Sequence, residues 1–196
     1  MSQPRREPEA ERPAEPRTRR AAVFRVVEVV LWVLVLGLFV VRVAPQVRAA
    51  IGWKSAGTDE PPVTFDLLAG DALPLRSLKG QVVLVNFWAT WCPPCRAEMP
   101  GIETVYEAKH AAGFTVVGVS LDEKPRAQVA AFLHDHAIAY PVAMADPETV
   151  AAFGDVSSLP TSYLIDRRGR VRYTVRGMFA GVALRAAVDR LLAEHS

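Results

Sequence analysis

The chain contains two cysteines, Cys92 and Cys95, held apart by two prolines in the run Thr90-Trp91-Cys92-Pro93-Pro94-Cys95-Arg96-Ala97-Glu98-Met99-Pro100. A β-rich run precedes the pair and a helical pattern follows it, so the cysteines stand at a strand-to-helix junction. Two thiols so placed close a small disulfide, and the partial positive charge of the helix N-terminus favours a thiolate on the first sulfur. Cys92 is therefore the expected nucleophile and Cys95, one turn inside the helix, the resolving thiol, with exchange running through a mixed disulfide on Cys92. Other chemistries fit less well. A metal site would need further ligands from His110, His134, His136 or His195, none at a ligand-like spacing from the pair. No metal site is expected, and no cofactor beyond the redox-active disulfide. An inert structural disulfide closing so short a loop would constrain little of the unfolded chain. A peroxidatic cysteine expects a threonine three residues before it, where this chain has Ala89. The rival class is a non-enzymatic metal chaperone or docking module using the same two cysteines.

The prolines bear on the direction of exchange. Neither Pro93 nor Pro94 has a backbone N–H, so a Cys92 thiolate is left chiefly with the N–H of Cys95. Weaker thiolate stabilisation makes the reduced form a better electron donor and the disulfide less oxidising, which predicts a reductase.

The elements that must position this pair occupy the last two thirds of a 196-residue chain, enough for one ordinary domain plus extra segments. Residues 1–60 hold 10 Lys/Arg against 7 Asp/Glu and residues 61–196 hold 13 against 14, so the +2 excess is N-terminal. A near-neutral C-terminal module argues against nucleic-acid binding. Residues 1–22 are a Pro-, Arg-, Glu- and Ala-rich tail with few large apolar side chains, predicted to be disordered and cytoplasmic. Residues 23–44 carry the almost unbroken apolar run Val26–Val43, interrupted by Glu28 and Arg42 near its ends. Eighteen helical residues at ~1.5 Å each nearly match the ~30 Å hydrocarbon thickness. The run is predicted to be a transmembrane anchor, with a cleaved signal peptide or a soluble helix as alternatives. Seven Lys/Arg before it, against Arg42 at its far end with Arg48 and Lys54 beyond, place the N-terminus in the cytoplasm and the rest outside. Residues 45–60 read as a linker.

Beyond the linker, residues 61–196 form one predicted domain. Val63–Leu67 and Leu73–Leu75 read as short strands and Gln81–Phe87 as a strand covered on both faces. Arg96–Ala112 reads as a helix containing Pro100, Thr115–Val119 as a second buried strand and Pro125–Asp135 as a helix. Val142–Met144 is extended and Glu148–Phe153 a short helix. Thr161–Ile165 and Val171–Val175 bracket the turn Asp166-Arg167-Arg168-Gly169, and Gly181–Glu194 is a closing amphipathic helix. The result is an α/β fold, a mixed sheet with helices on both faces. Arg167, Arg168, Arg170, Arg172 and Arg176 crowd charge onto the hairpin, read as a solvated face with anionic lipid or an acidic partner as the alternative.

The run Val85 to Pro100, with Val116-Val117-Gly118-Val119-Ser120 and Leu159-Pro160-Thr161-Ser162-Tyr163-Leu164-Ile165-Asp166, resembles the TlpA/ResA family of membrane-anchored thioredoxin-like thiol-disulfide oxidoreductases. The resemblance covers roughly residues 61–194. It implies a thioredoxin-like fold with extra N-terminal strands and a central insertion. It implies Cys92 as attacking thiol, Cys95 as its partner and Pro160 as a cis-proline facing the disulfide. An extended substrate would then pair with the backbone of Leu159, with Trp91, Pro160 and Thr161 at the same site. Where ordinary thioredoxins have a buried aspartate before the motif this chain has Asn86, which cannot take a proton, and the resemblance gives acid-base function to Glu98. The implied partners are cysteines of exported apocytochrome c or copper-site proteins, a transmembrane electron donor of DsbD/CcdA type, and membrane lipid. The implied location is single-pass in the cell membrane, with the catalytic domain periplasmic.

Overall fold

The computed structural model describes Arg25, residues 27–34, Gly37 and residues 57–154, 156–179 and 181–194. The chain divides into two compact units, residues 1–46 and 47–196. In the first, Arg25, residues 27–34 and Gly37 are helical, with Val27 and residues 29–34 exposing their side chains. Among the described residues no helix is long and apolar enough to cross a membrane. The predicted tail, most of the predicted anchor and the linker up to residue 56 lie outside the described residues.

The second unit is built on strand β4, Val82–Trp88, whose seven residues are all buried. Its alternation divides the core. Val82, Leu84 and Trp88 face one cluster, with Met99 and Ile102 of helix α1 (Pro93–Lys109). Val129 and Leu133 of α2 (Arg126–Asp135) and Leu184 and Val188 of α4 (Gly181–Ala193) complete that cluster. Val83, Val85 and Phe87 face the other, with Phe65, Phe153 and Tyr163. Burying both faces explains why β4 is a continuous apolar run in which Asn86 is the polar exception.

Around β4 the sheet has eight strands in the order β1-β8-β7-β4-β5-β6-β2-β3. These are β1 (Thr58–Asp59), β2 (Thr64–Leu67), β3 (Ala72–Pro74), β5 (Phe114–Ser120), β6 (Val142–Met144), β7 (Thr161–Ile165) and β8 (Arg170–Arg176). β4, β5 and β6 run parallel, β7 and β8 form the expected hairpin, and α3 is Pro147–Ala152. Helices α1 and α4 approach closely at a pair of glycines: a Cβ at Gly101 would lie 3.4 Å from the Cα of Gly181, and one at Gly181 would lie 3.3 Å from the Cα of Gly101.

Most element boundaries move by a residue or more from the sequence reading, and two of the shifts have a clear physical cause. The linker expected to reach residue 60 gives up Thr58 and Asp59 to the sheet, because the edge of β8 offers unpaired backbone groups: Gly57 N–H donates to Val171 O at 2.7 Å and Glu60 N–H to Gly169 O at 2.7 Å. The second expected strand shifts to Ala72–Pro74, and Leu75–Leu78 turns into a 3-10 helix. The helix expected from Arg96 starts three residues earlier, at Pro93, since prolines at its first positions forfeit only N–H groups that have no helical partner.

Candidate active site

The C-terminal end of β4 delivers Ala89, Thr90 and Trp91 to Cys92, which caps α1. Cys92 and Cys95 are joined as a disulfide with 5.3 Å between their Cα atoms. Cys95 N–H donates to Cys92 Sγ at 3.3 Å. With Pro93 and Pro94 between them, that amide is the one donor the first turn supplies, as the two prolines required. Cys92 is 4% exposed and Cys95 fully buried, so attack from outside falls to Cys92.

One helical turn past Cys95, Glu98 points into the core, 4% exposed. Asn86 faces α1 because it shares the parity of Leu84 and Trp88 on β4, and its Nδ2 donates to Glu98 Oε1 at 2.8 Å and to Ser162 Oγ at 3.0 Å. The Phe179 N–H donates to Glu98 Oε2 at 2.8 Å. Burial pushes the Glu98 carboxyl up to about 7, while the donors from Phe179 and Asn86 pull the other way and only partly offset it. A carboxyl balanced near neutrality, one turn from a buried thiol, suits proton transfer.

A groove of about 490 Å³ borders the disulfide, lined by Trp91, Cys92, Pro93, Pro94, Leu121 and Leu159 among others. Trp91 is 62% exposed on its rim. The Leu159–Pro160 peptide is cis. Pro160 and Thr161 are buried and do not line the groove; Thr161 opens β7 opposite Phe87, and its hydroxyl donates to Ser158 O at 2.6 Å. Trp91, Cys92 and Leu159 thus share one surface, while Glu98 lies behind the cysteines. Among the described residues no three His, Cys, Asp or Glu side chains are grouped to hold a metal ion.

Asp122 belongs to this site and has no signature in the sequence. It is buried, and its carboxylate accepts from Thr90 N–H at 2.8 Å, Thr90 Oγ1 at 2.6 Å and Ser120 Oγ at 2.7 Å. Lys124 Nζ adds a bond to Thr90 Oγ1 at 3.1 Å. This clamp fixes Thr90, two residues before Cys92. Replacing Asp122 with alanine strands three buried donors and is expected to cost about 3 kcal/mol of stability, read as a lower urea midpoint at unchanged slope.

The Redoxin family model matches residues 55–188, more than half of the chain. The chain belongs to the Redoxin family. This Redoxin-family chain is 36% identical over 118 residues to the thioredoxin-like protein YneN of Bacillus subtilis, covering 59% of this chain and 68% of that protein. It is 35% identical over 123 residues to the thiol-disulfide oxidoreductase ResA of Bacillus subtilis, covering 63% and 68%. The crystal structure of a thiol:disulfide interchange protein of Chlorobium tepidum superimposes with a TM-score of 0.65 at 33% identity, covering 71% of this chain and 99% of that one. The fold is thioredoxin-like and of TlpA/ResA type, as the sequence motifs implied. With its Cys-X-X-Cys pair so placed, this member of the family is a thiol-disulfide oxidoreductase.

Proposed function

We propose that the protein works as a membrane-tethered, extracytoplasmic reductase of disulfides in exported proteins. The observation that carries the direction is the single donor at Cys92 Sγ: Pro93 and Pro94 leave a Cys92 thiolate with the amide of Cys95, so the reduced pair yields electrons readily. In the proposed cycle the Cys92 thiolate attacks a substrate disulfide and releases one substrate thiolate, leaving a mixed disulfide. Cys95 passes its proton to the Glu98 carboxylate and attacks Cys92 Sγ. The second substrate thiolate leaves, and the Cys92–Cys95 disulfide forms. The groove lined by Trp91 and Leu159 suits an extended apolar segment flanking the substrate cysteine. Pro160 and Thr161 act in this reading by holding the Leu159 backbone at the groove.

The apolar run Val26–Val43 and its flanking charges support the anchor and an outward-facing catalytic unit. Reduction outside the cytoplasm then needs electrons from across the membrane, which fits a transmembrane dithiol donor of DsbD/CcdA type. Haem-attachment cysteines of apocytochrome c and cysteines of copper-site proteins are the proposed substrates. The reduction potential tests the direction. Equilibration with glutathione or dithiothreitol should place the pair well below the strongly oxidising value of about −120 mV, and Pro94→Ala, which restores an N–H near Cys92 Sγ, should raise it. A potential near −120 mV would overturn the reductase reading.

A further inference from the structure

The turn between β7 and β8 lies at the end of the sheet opposite the disulfide. Val83, at the start of β4, pairs with Ile165, whereas Phe87, near the strand's active-site end, pairs with Thr161. Gly80 N–H, just before β4, donates to Arg167 O at 2.9 Å. The seven residues of β4 separate this end from the active-site end by about 20 Å. The chain also enters the catalytic unit here: β1 pairs Thr58 with Val171 and Asp59 with Arg170.

Charge at this end is unevenly spent. Asp166 accepts from the backbone N–H groups of Arg168 and Arg170 and from Arg172, and Arg172 also pairs with Glu194 at 2.5 Å. Glu60 pairs with Lys79 at 3.5 Å and Asp189 with Lys109 at 2.5 Å. Arg167 is half-buried and donates to Ala112 O. Arg168 and Arg170 are exposed and have no carboxylate partner among the described residues, as does Arg76 in the 3-10 turn leading to Gly80. Asp59 stands against these three cations as an exposed, unpaired acid. Arg167, Arg168, Arg170 and Arg172 line a hollow of about 470 Å³ together with Asp166 and Glu194, the two carboxylates that Arg172 already engages. Guanidinium groups bind phosphate oxygens through paired N–H donors, the geometry an anionic phospholipid headgroup presents.

We propose that the arginine-bearing end, centred on Arg168 and Arg170, docks onto the anionic phospholipid surface of the membrane that carries the tether, turning the disulfide groove away from it. The inference rests on the anchored reading above. Docking lets an exported substrate reach the groove unobstructed by the bilayer.

The test uses the full chain reconstituted with phosphatidylcholine vesicles, with or without phosphatidylglycerol. Flotation reports attachment, and hydrogen–deuterium exchange of the peptide spanning residues 164–172 reports docking. The proposal expects flotation with both vesicle types and exchange in 164–172 at least about fivefold slower with phosphatidylglycerol. The slowing should vanish in R168E/R170E and at about 0.5 M NaCl. Flotation with both vesicles but equal exchange overturns docking and leaves the anchor standing, and slowing that survives R168E/R170E also overturns docking. Flotation confined to phosphatidylglycerol vesicles and lost in R168E/R170E overturns the anchor and supports docking. Flotation with neither overturns both.

Discussion

Cys95→Ser leaves Cys92 able to attack a substrate disulfide and unable to let go, so the variant is expected to accumulate as a mixed disulfide with its substrate, visible as a larger species on non-reducing gels that collapses with reductant. The asymmetry follows from burial and order along the helix. Cys92 sits at the cap beside the groove, and Cys95 is enclosed behind it. Cys92→Ser should remove disulfide turnover to background and trap nothing, because the remaining thiol cannot be reached from outside. Trapping by Cys92→Ser and not by Cys95→Ser would reverse the assignment. The same pair of variants separates an exchanging enzyme from a metal chaperone, which would bind metal stoichiometrically through both sulfurs and show no turnover to lose. In membranes, the partner held by Cys95→Ser identifies the substrate directly.

Much of what positions this site is legible in the sequence alone. The β4 run is apolar on both parities, which marks a central strand; the prolines after Cys92 mark a helix start; and Asp166-Arg167-Arg168-Gly169 marks a hairpin. Each is a local signal. What escaped depends on pairing between distant segments. Asp122 reaches Thr90 because β4 and β5 lie parallel with Trp88 beside Ser120, a register that places residues 32 apart in contact. The donor to Glu98 Oε2 is a backbone amide 81 residues away, at Phe179, invisible to any reading of side-chain types. β1 escaped for a different reason: two residues are too short for an alternating pattern, Gly57 and Asp59 beside Thr58 disfavour strands, and the free edge of β8 recruits the pair. Glu98 is singled out by the TlpA/ResA resemblance and not by its own setting in the chain, since an acid in a helix's first turns ordinarily faces solvent and the dipole. Only the stacking of α1 on the Asn86 face of β4 turns it inward.

That inward turn gives the protein a pH dependence whose sign is fixed by burial. Glu98 titrates at about 7 in the folded protein against an ordinary value of 4.5, so between those values the folded state holds a proton that the unfolded chain has released. Stability from this group is fully present below about pH 4.5 and is lost as pH rises through about 7, a decline of about 3 kcal/mol. Urea titrations of the oxidised protein at pH 5 and pH 8 should show it, and Glu98→Gln, which does not ionise, should flatten it. The variant starts less stable at low pH, because its amide offers one acceptor oxygen where Asn86 and Phe179 bring two donors. Catalysis runs the opposite way with pH. The carboxylate is the form that accepts the Cys95 proton, so resolution of the mixed disulfide should accelerate as pH passes about 7, the same titration that erodes stability. Glu98→Gln should slow that step by about a hundredfold and erase its inflection, while leaving the first attack by Cys92 within a few-fold of normal. Stopped-flow measurement of the two steps distinguishes this from a packing defect, which would slow both and leave the inflection in place. A site that sacrifices stability at the pH where it works fastest accounts for keeping an acid where the packing alone would favour a neutral side chain.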